Sequence, residues 1–589
     1  MKSFIGTVGG IALTAKAVSA TPMLFNEPST NVAKRAATSC NTASNRSCWT
    51  TDGYTIDTNY VVDYPTTGVT RQYTLYVTEV ENANLDGTVK NISMLINGTY
   101  PGPTLYADWG DDIEITVINN LTTNGTSMHW HGVTQLNTNI MDGVNGVTEC
   151  PTTPGDSHTY KFHVTQYGST WYHSHYSTQY GNGAWGTMIF NGPASANYDI
   201  DLGTYPISDY IYATAEAVYA EYVIPSPGVA PSPNNILFNG SHVNVDGEGS
   251  YNVVTLTKGK THRLRLINTA IDAEMILKLN KHNMTVIQTD FVPVTPYETD
   301  YLFLGIGQRA DVLITADQDV DSYWFNLTWP SNGLCGSSKV SYPASIFRYE
   351  GATDENPTDE GTAPSSLACD DKYDYEPVVT LAVPSESFAE SIDSTLDVSL
   401  TTKTWENIDS RVYWTVSESS INVTWGHPTL QYINENDTSY PTDLNVLKVP
   451  DNQTWAYWVI NNELSVPHPL HLHGHDFFVL GSSGTLDTAA NFNASSDLSS
   501  LNFKNPMRRD VTMLPGNGWV VMAFENNNPG AWVMHCHIAW HVASGLSVQF
   551  VEKVDDIKSL FDLSSVLDDR CSAWNTYEAE TIYKQDDSG

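Results

Sequence analysis

Basic charge is scarce in this chain. Its 589 residues carry 28 Lys and Arg against 66 Asp and Glu, a formal net charge of −38 at pH 7. Phosphate backbones and anionic surfaces are held by an excess of cations, so this balance excludes nucleic acid, anionic membrane and heparin as partners. After the N-terminal segment no apolar run is long enough to span a bilayer. Helical periodicity is scarce as well, whereas short strand-like stretches separated by Gly, Pro and Asn turns recur. The length exceeds what one hydrophobic core fills, so several domains are expected.

What is present begins with an export signature. Residues Met1 to Ala20 combine Lys2, an apolar stretch from Phe4 to Leu13 and small residues ending at Val18-Ser19-Ala20, which reads as a signal peptide. Lys34-Arg35 is a dibasic site, so 21–35 reads as a propeptide and Ala36 as the mature N-terminus. Asn-X-Ser/Thr sequons, among them Asn91, Asn97, Asn239, Asn283 and Asn422, fit a secreted glycoprotein. The seven cysteines are an odd number, which sets one apart from any disulfide set.

The odd cysteine has a candidate role. In His535-Cys536-His537 a thiol stands between two imidazoles, followed by His541 and Gly545-Leu546. On a strand successive side chains alternate faces, so Cys536 would point one way and both histidines the other. One tripeptide can then serve two metal sites on opposite sides. A Cys with two His and a weak axial neighbour is the ligand type of a blue copper centre. Three more His-X-His pairs occur: His129/His131, His173/His175 and His471/His473, the last within His468-Pro469-Leu470-His471-Leu472-His473-Gly474-His475. Four converging pairs supply eight imidazoles for a metal cluster, and His468 and His541 remain to complete a His₂Cys set with Cys536. A single His-X-His is more often structural and a free Cys is more often a small buried hydrophobe. Ten of the seventeen histidines falling into one ligand set is another matter.

An internal repeat organises the remainder. Asp112 to Asn119, His262 to Asn268 and Thr454 to Asn461 look like one strand used three times, the first two alternating apolar and polar residues as half-buried strands do. His pairs follow the first and third copies; Thr269-Ala270-Ile271-Asp272 follows the second. A three-domain adhesion protein would show such repeats too, but ligands in the first and third copies favour a cluster between them.

On these motifs, from about Cys40 onward, the chain resembles the multicopper oxidases, and within them the ascomycete laccases. The resemblance implies an all-β fold of three consecutive cupredoxin-like β-sandwiches, here 36–195, 196–375 and 376–589, and four copper ions. It puts type 2 copper on His129 and His471, one type 3 copper on His131, His173 and His537, and the other on His175, His473 and His535. Type 1 copper falls to Cys536, His468 and His541, with Leu546 axial and non-coordinating where many relatives carry Met. The resemblance pairs Cys40 with Cys48, Cys150 with Cys571 and Cys335 with Cys369; the residues alone leave every pairing among these six open. It makes His468 the point where electrons enter, Asp142 the acidic residue beside type 2 copper, and Asp272 a carboxylate of the phenol pocket. Asp142 also reads as a turn residue before Gly143, and Asp272 as a solvated loop residue. Other histidines, such as His158, His163, His242, His262, His282 and His427, read as structural or surface residues. Relatives end one apolar residue beyond this chain's Asp586-Asp587-Ser588-Gly589, with the tail in the channel to the cluster.

The expectation is a secreted, monomeric laccase that oxidises phenols and aromatic amines one electron at a time and reduces O₂ to water. Its rivals are another multicopper oxidase, acting on Fe(II), ascorbate or bilirubin, and a non-catalytic copper-binding protein.

Overall fold

A computed structural model describes residues 40–224, 231–330, 333–364, 367–390, 395–405, 408–582 and 587–588. The expected signal peptide, the propeptide, Ala36, Asp586, Gly589 and part of the loop from Ser226 to Asn235 lie outside the described residues. No described helix is long and apolar enough to cross a membrane.

The three repeated segments are strands: Asp112–Asn119, Thr261–Asn268 and Trp455–Asn462. Each is flanked by one parallel and one antiparallel neighbour. These are Thr70–Asn84 and Ser157–His163 for the first, Ile200–Tyr210 and Arg309–Thr315 for the second, and Thr395–Trp405 and Trp519–Glu525 for the third. The repeat is therefore a repeat of topology. Six sheets of four, four, six, five, six and five strands make three β-sandwiches in succession, the all-β architecture expected. In the first, Leu75, Ile113 and Val117 of one sheet pack on Leu105, Met188 and Phe190 of the other. The alternation of apolar residues along each strand puts these side chains on one face.

Alternation misleads in the second copy. Thr261–Asn268 is buried on both faces past its first residue, although Arg263 and Arg265 occupy its polar positions. Both guanidinium groups reach Asp311, Arg265 also pairs with Asp201, and its Nη1 donates to Ser169 Oγ of the first sandwich at 2.9 Å. The polar face is an ion-paired junction between sandwiches, which spacing along one strand cannot reveal.

Helix is scarce, as expected, but one long helix escaped the sequence reading. Leu563–Glu580 forms an 18-residue helix that buries Leu563, Leu567, Cys571 and Trp574. Their spacing lays them along one helical face. Its N-cap is Asp562, whose carboxylate accepts from Ser565 N–H. Three disulfides form as the resemblance implied, Cys40–Cys48, Cys150–Cys571 and Cys335–Cys369, leaving Cys536 free and buried. Asn91, Asn97, Asn239, Asn283 and Asn422 are all exposed.

Cys150–Cys571 spans 421 residues and ties the C-terminal helix to the first sandwich. Replacing both cysteines by Ala is expected to cost about 2–5 kcal/mol. Thermal unfolding checks this, and an unchanged midpoint would show that the helix is held by packing alone.

Candidate metal centres

The His-X-His pairs sit where strands from two sandwiches meet. His129–Trp130 pairs with Gly168–His173 in the first, with His129 opposite His173. His468–Leu472 pairs with Gly530–Cys536 in the third, with His471 opposite His535 and Leu470 opposite Cys536. Between paired histidines stand residues of the opposite face: Trp130 lies in the core of the first sandwich and Leu472 in that of the third, both fully buried. Apolar burial on one face thus turns the imidazoles toward the junction. The strand ends at Cys536, so His537 is carried by the backbone that follows it.

Eight imidazoles converge there. His471 Nε2 lies 3.5 Å from His129 Nε2, and His473 Nε2 lies 3.2 Å from His535 Nε2. The ligand nitrogens of His175, His473 and His535 all fall within 4.8 Å of one another. The rings of His131, His173 and His537 are 5.7, 5.0 and 5.3 Å apart, taken as 131–173, 131–537 and 173–537. On the other side of the strand, Cys536 Sγ lies 3.6 Å from His468 Nδ1 and 3.5 Å from His541 Nδ1, which are 3.2 Å from each other. His541 comes from the short helix Ala539–Ala543.

Hydrogen bonding decides which nitrogens are free. His129 Nδ1 donates to Asp142 O at 2.8 Å, His471 Nδ1 to Asp510 O at 2.7 Å, His535 Nδ1 to Cys536 O at 2.9 Å and His173 Nδ1 to Ser174 O at 3.0 Å. A neutral imidazole that gives its proton from Nδ1 keeps only a lone pair on Nε2. The His129–His471 contact therefore sets lone pair against lone pair, and so does His473–His535, where His473 Nδ1 is engaged with Asp142 Oδ2 at 2.8 Å. Buried nitrogens without a partner complete the set: Nε2 of His173 and His175, Nδ1 of His131 and both nitrogens of His537. His131 Nε2 faces Asp510 Oδ1 at 3.2 Å, which leaves Nδ1 for an ion. This donor set fits metal cations, which supply the charge that facing lone pairs lack.

Electrostatics agree. Burial lowers His131, His173, His175, His471, His473, His537 and His541 well below the usual imidazole range, neighbouring histidines adding to the effect. Burial alone takes His468 to about 3, and burial is the main cause that takes His535 to about 4. The same desolvation pushes the Cys536 thiol up, so a thiolate there needs a cation beside it.

Sequence comparison bears on this geometry. Family models described as multicopper oxidase match residues 77–195, 203–352 and 409–556. A laccase of Cryphonectria parasitica is 48% identical over 94% of this chain and 95% of its own length. Laccase-1 of Melanocarpus albomyces is 48% identical over 93% of this chain and 89% of its own. The chain belongs to the ascomycete laccases. The crystal structure of the laccase from Botrytis aclada superimposes with a TM-score of 0.85 at 39% identity, covering 94% of this chain and all of that one, so the three sandwiches are cupredoxin-like domains. The protein is a copper-binding multicopper oxidase with laccase activity.

Other expected residues of the laccase also find places. Asp142 follows the short helix Asn139–Met141, is fully buried, and contacts His473 Nδ1 and, at 3.3 Å, His129 Nδ1. It is a turn residue as well: Gly143 has φ +80°, and a Cβ there would sit 1.9 Å from Met128 O. Leu546 is buried, and its carbonyl accepts from Cys536 N–H at 3.1 Å. Asp272 is half-buried beside Trp540. Both carboxylate oxygens of Asp209 hold its loop, through Ile271 N–H at 2.9 Å and Asp272 N–H at 2.8 Å. Desolvation, then the Asp209 charge, raises the Asp272 carboxyl well above its ordinary range. At the other end, Ser588 N–H donates to Ala543 O and Ser588 O accepts from Val423 N–H, placing the tail beside a small cavity lined by His175. His475, within the third histidine run, stays out of the cluster and pairs with buried Glu552 at 2.8 Å.

Sequence reasoning missed Asp510. Arg309 of the second sandwich grips its carboxylate with both Nη atoms and donates from Nε to Ser169 O of the first, while Asp510 itself faces His131 and His471. The only hint is three successive charges, Arg508-Arg509-Asp510, between Met507 and Val511. Arg309→Met leaves a buried carboxylate unpaired, and denaturant unfolding should show a loss of about 3–5 kcal/mol. Arg309→Met combined with Asp510→Asn should cost less than Arg309→Met alone; a larger cost would mean that packing, not charge, matters there.

Proposed function

We propose that the two sets divide the copper as the resemblance implies. Cys536, His468 and His541 hold type 1 copper under a non-coordinating Leu546, and His129 and His471 hold type 2. His131, His173 and His537 hold one type 3 copper, and His175, His473 and His535 the other. The observation that carries this reading is the placement of Cys536 between the two sets, its neighbours His535 and His537 reaching into one while its thiol faces the other. Copper bound there would take electrons singly from a donor at the Cys536 site and pass four to O₂ at the histidine cluster, giving water.

The residues have separable tasks. Cys536 joins the two sets through adjacent residues whose Cα atoms are about 3.8 Å apart. His468 turns Nδ1 toward Cys536 and keeps a buried, unpartnered Nε2 on its far side, the edge we assign to electron entry. Trp414 packs on both His468 and His541, at 4.7 and 4.1 Å between ring centroids, and fixes their planes. Asp142 orients His129 and His473 and supplies protons as water forms. Asp272 takes the proton a phenol loses with its electron. The donors are small phenols and aromatic amines, and the enzyme is a secreted monomer. The export signature and exposed sequons support secretion. Division into 36–195, 196–375 and 376–589 is supported by sheets that each draw strands from one of these segments.

Cys536→Ser should abolish blue absorption and donor oxidation while three coppers per chain remain by metal analysis. A blue, active variant would sink the ligand assignment. Asp272 gives a pH test. Its raised carboxyl is protonated in acid and accepts no proton there, so phenol kcat/KM should climb as pH rises through that raised value. Asp272→Asn should flatten the climb for a phenol and leave a non-phenolic donor nearly unchanged. Parallel losses for both donors would make Asp272 a support of its loop.

A further inference from the structure

Aromatic rings run without a gap from the histidine cluster to the surface of the first two sandwiches. Trp171, fully buried two residues before His173, touches the three histidines assigned to one type 3 copper: ring centroids lie 5.3 Å from His131, 4.3 Å from His173 and 5.5 Å from His537. Trp171 meets Trp185 at 6.4 Å, Trp185 meets Tyr100 at 5.1 Å, Tyr100 meets Tyr210 at 6.3 Å, and Tyr210 meets Tyr212 at 5.8 Å. Tyr212 is half-buried. We infer that these rings form an escape route for oxidising equivalents, a second function that protects the cluster when donor electrons run short. The inference rests on the reading that His131, His173 and His537 hold copper.

Trp and Tyr are among the most readily oxidised side chains. Tunnelling falls steeply with distance, so several short steps between touching rings outrun one long one. The hydrogen bonds give the route a direction. Trp171 Nε1 is buried with no partner, so an oxidised Trp171 keeps its proton and remains a strong oxidant of the next ring. Tyr210 OH also lacks a partner, and Lys90 Nζ lies 5.5 Å over its ring, which disfavours positive charge there. Tyr100 shares its hydroxyl with Ser208 Oγ, and Tyr180, a side branch 5.9 Å from Trp171, bonds only backbone carbonyls. Tyr212 alone on the route donates to a carboxylate, Asp86 Oδ2, at 2.9 Å. Asp86 is held by Asn235 Nδ2 and Thr88 N–H. The oxidising equivalent is thus trapped where its proton has somewhere to go.

The step balances. One electron leaves Tyr212 and passes ring to ring to the cluster, where oxygen is the oxidant. The phenolic proton moves to Asp86 and a neutral tyrosyl radical remains. A phenol donor in solution then reduces that radical by one electron, Asp86 returns the proton, and the donor leaves as a phenoxyl radical after losing its own proton to water. The net reaction is the laccase's own, with the electron entering by another door.

The test uses copper-loaded full-length enzyme in air with too little phenol to complete turnover. Rapid-freeze EPR should show a tyrosyl radical in the unmodified enzyme and in Tyr297→Phe, a surface tyrosine off the route, but none in Tyr212→Phe. With saturating donor, kcat should be unchanged in Tyr212→Phe and Tyr210→Phe. Under donor starvation both should complete several-fold fewer turnovers before inactivation, with oxygen adducts on Trp171 and Trp185 by peptide mass mapping. A fully copper-loaded, active enzyme with no tyrosyl signal overturns the route, as does equal survival of all variants. Unmodified protein that binds no copper through His173 and His537 overturns the underlying ligand reading instead, and metal analysis separates the two failures.

Discussion

Neutral imidazoles packed lone pair against lone pair are the constraint on which the rest depends. Backbone carbonyls of Asp142, Asp510 and Cys536 take the Nδ1 protons of His129, His471 and His535, and burial disfavours a second proton on His471 and His535. Cations inside such a centre would relieve the facing lone pairs, and acidic residues stand behind the rings. Asp142 faces His129 and His473, Asp510 faces His131 and His471, and Arg309 locks Asp510 to two other sandwiches. The candidate ligands are thereby held by interactions among three domains rather than within one.

That arrangement accounts for features that are puzzling singly. The middle sandwich carries no His-X-His pair, yet it supplies Arg309, the Asp311 junction and the Asp272 loop. It acts as a brace between the other two. Ile271 O accepts from Ala539 N–H at 2.9 Å, so the loop carrying Asp272 is stitched to the backbone just past His537. The Asp272 loop and the segment carrying His537 and His541 thus share one piece of scaffold. The C-terminal helix serves the other side, where Arg570 pairs with buried Glu149 at 2.7 Å and the tail returns to Ser177 and Ala543.

Much of this was legible in the residues. Every ligand candidate came from four histidine segments and one odd cysteine, because metal chemistry demands particular atoms and strand periodicity presents them two apart. Legibility failed where partners are remote. Arg263 and Arg265 looked like the polar face of a half-buried strand and are buried charges; Asp510 drew no reading and faces His131 and His471. The helix Leu563–Glu580 was overlooked although its spacing was readable.

The sequence by itself determined the repeat, the all-β character, the donor atoms and the family, since these depend on residue type and local period. Only the tertiary structure decided which nitrogen is free on His129, His471 and His535, that His475 is diverted to Glu552, and that Asp142 touches histidines from two sandwiches. Tautomer and orientation follow from the partner across the junction, hundreds of residues away in the chain. No pattern along one strand encodes the position of another.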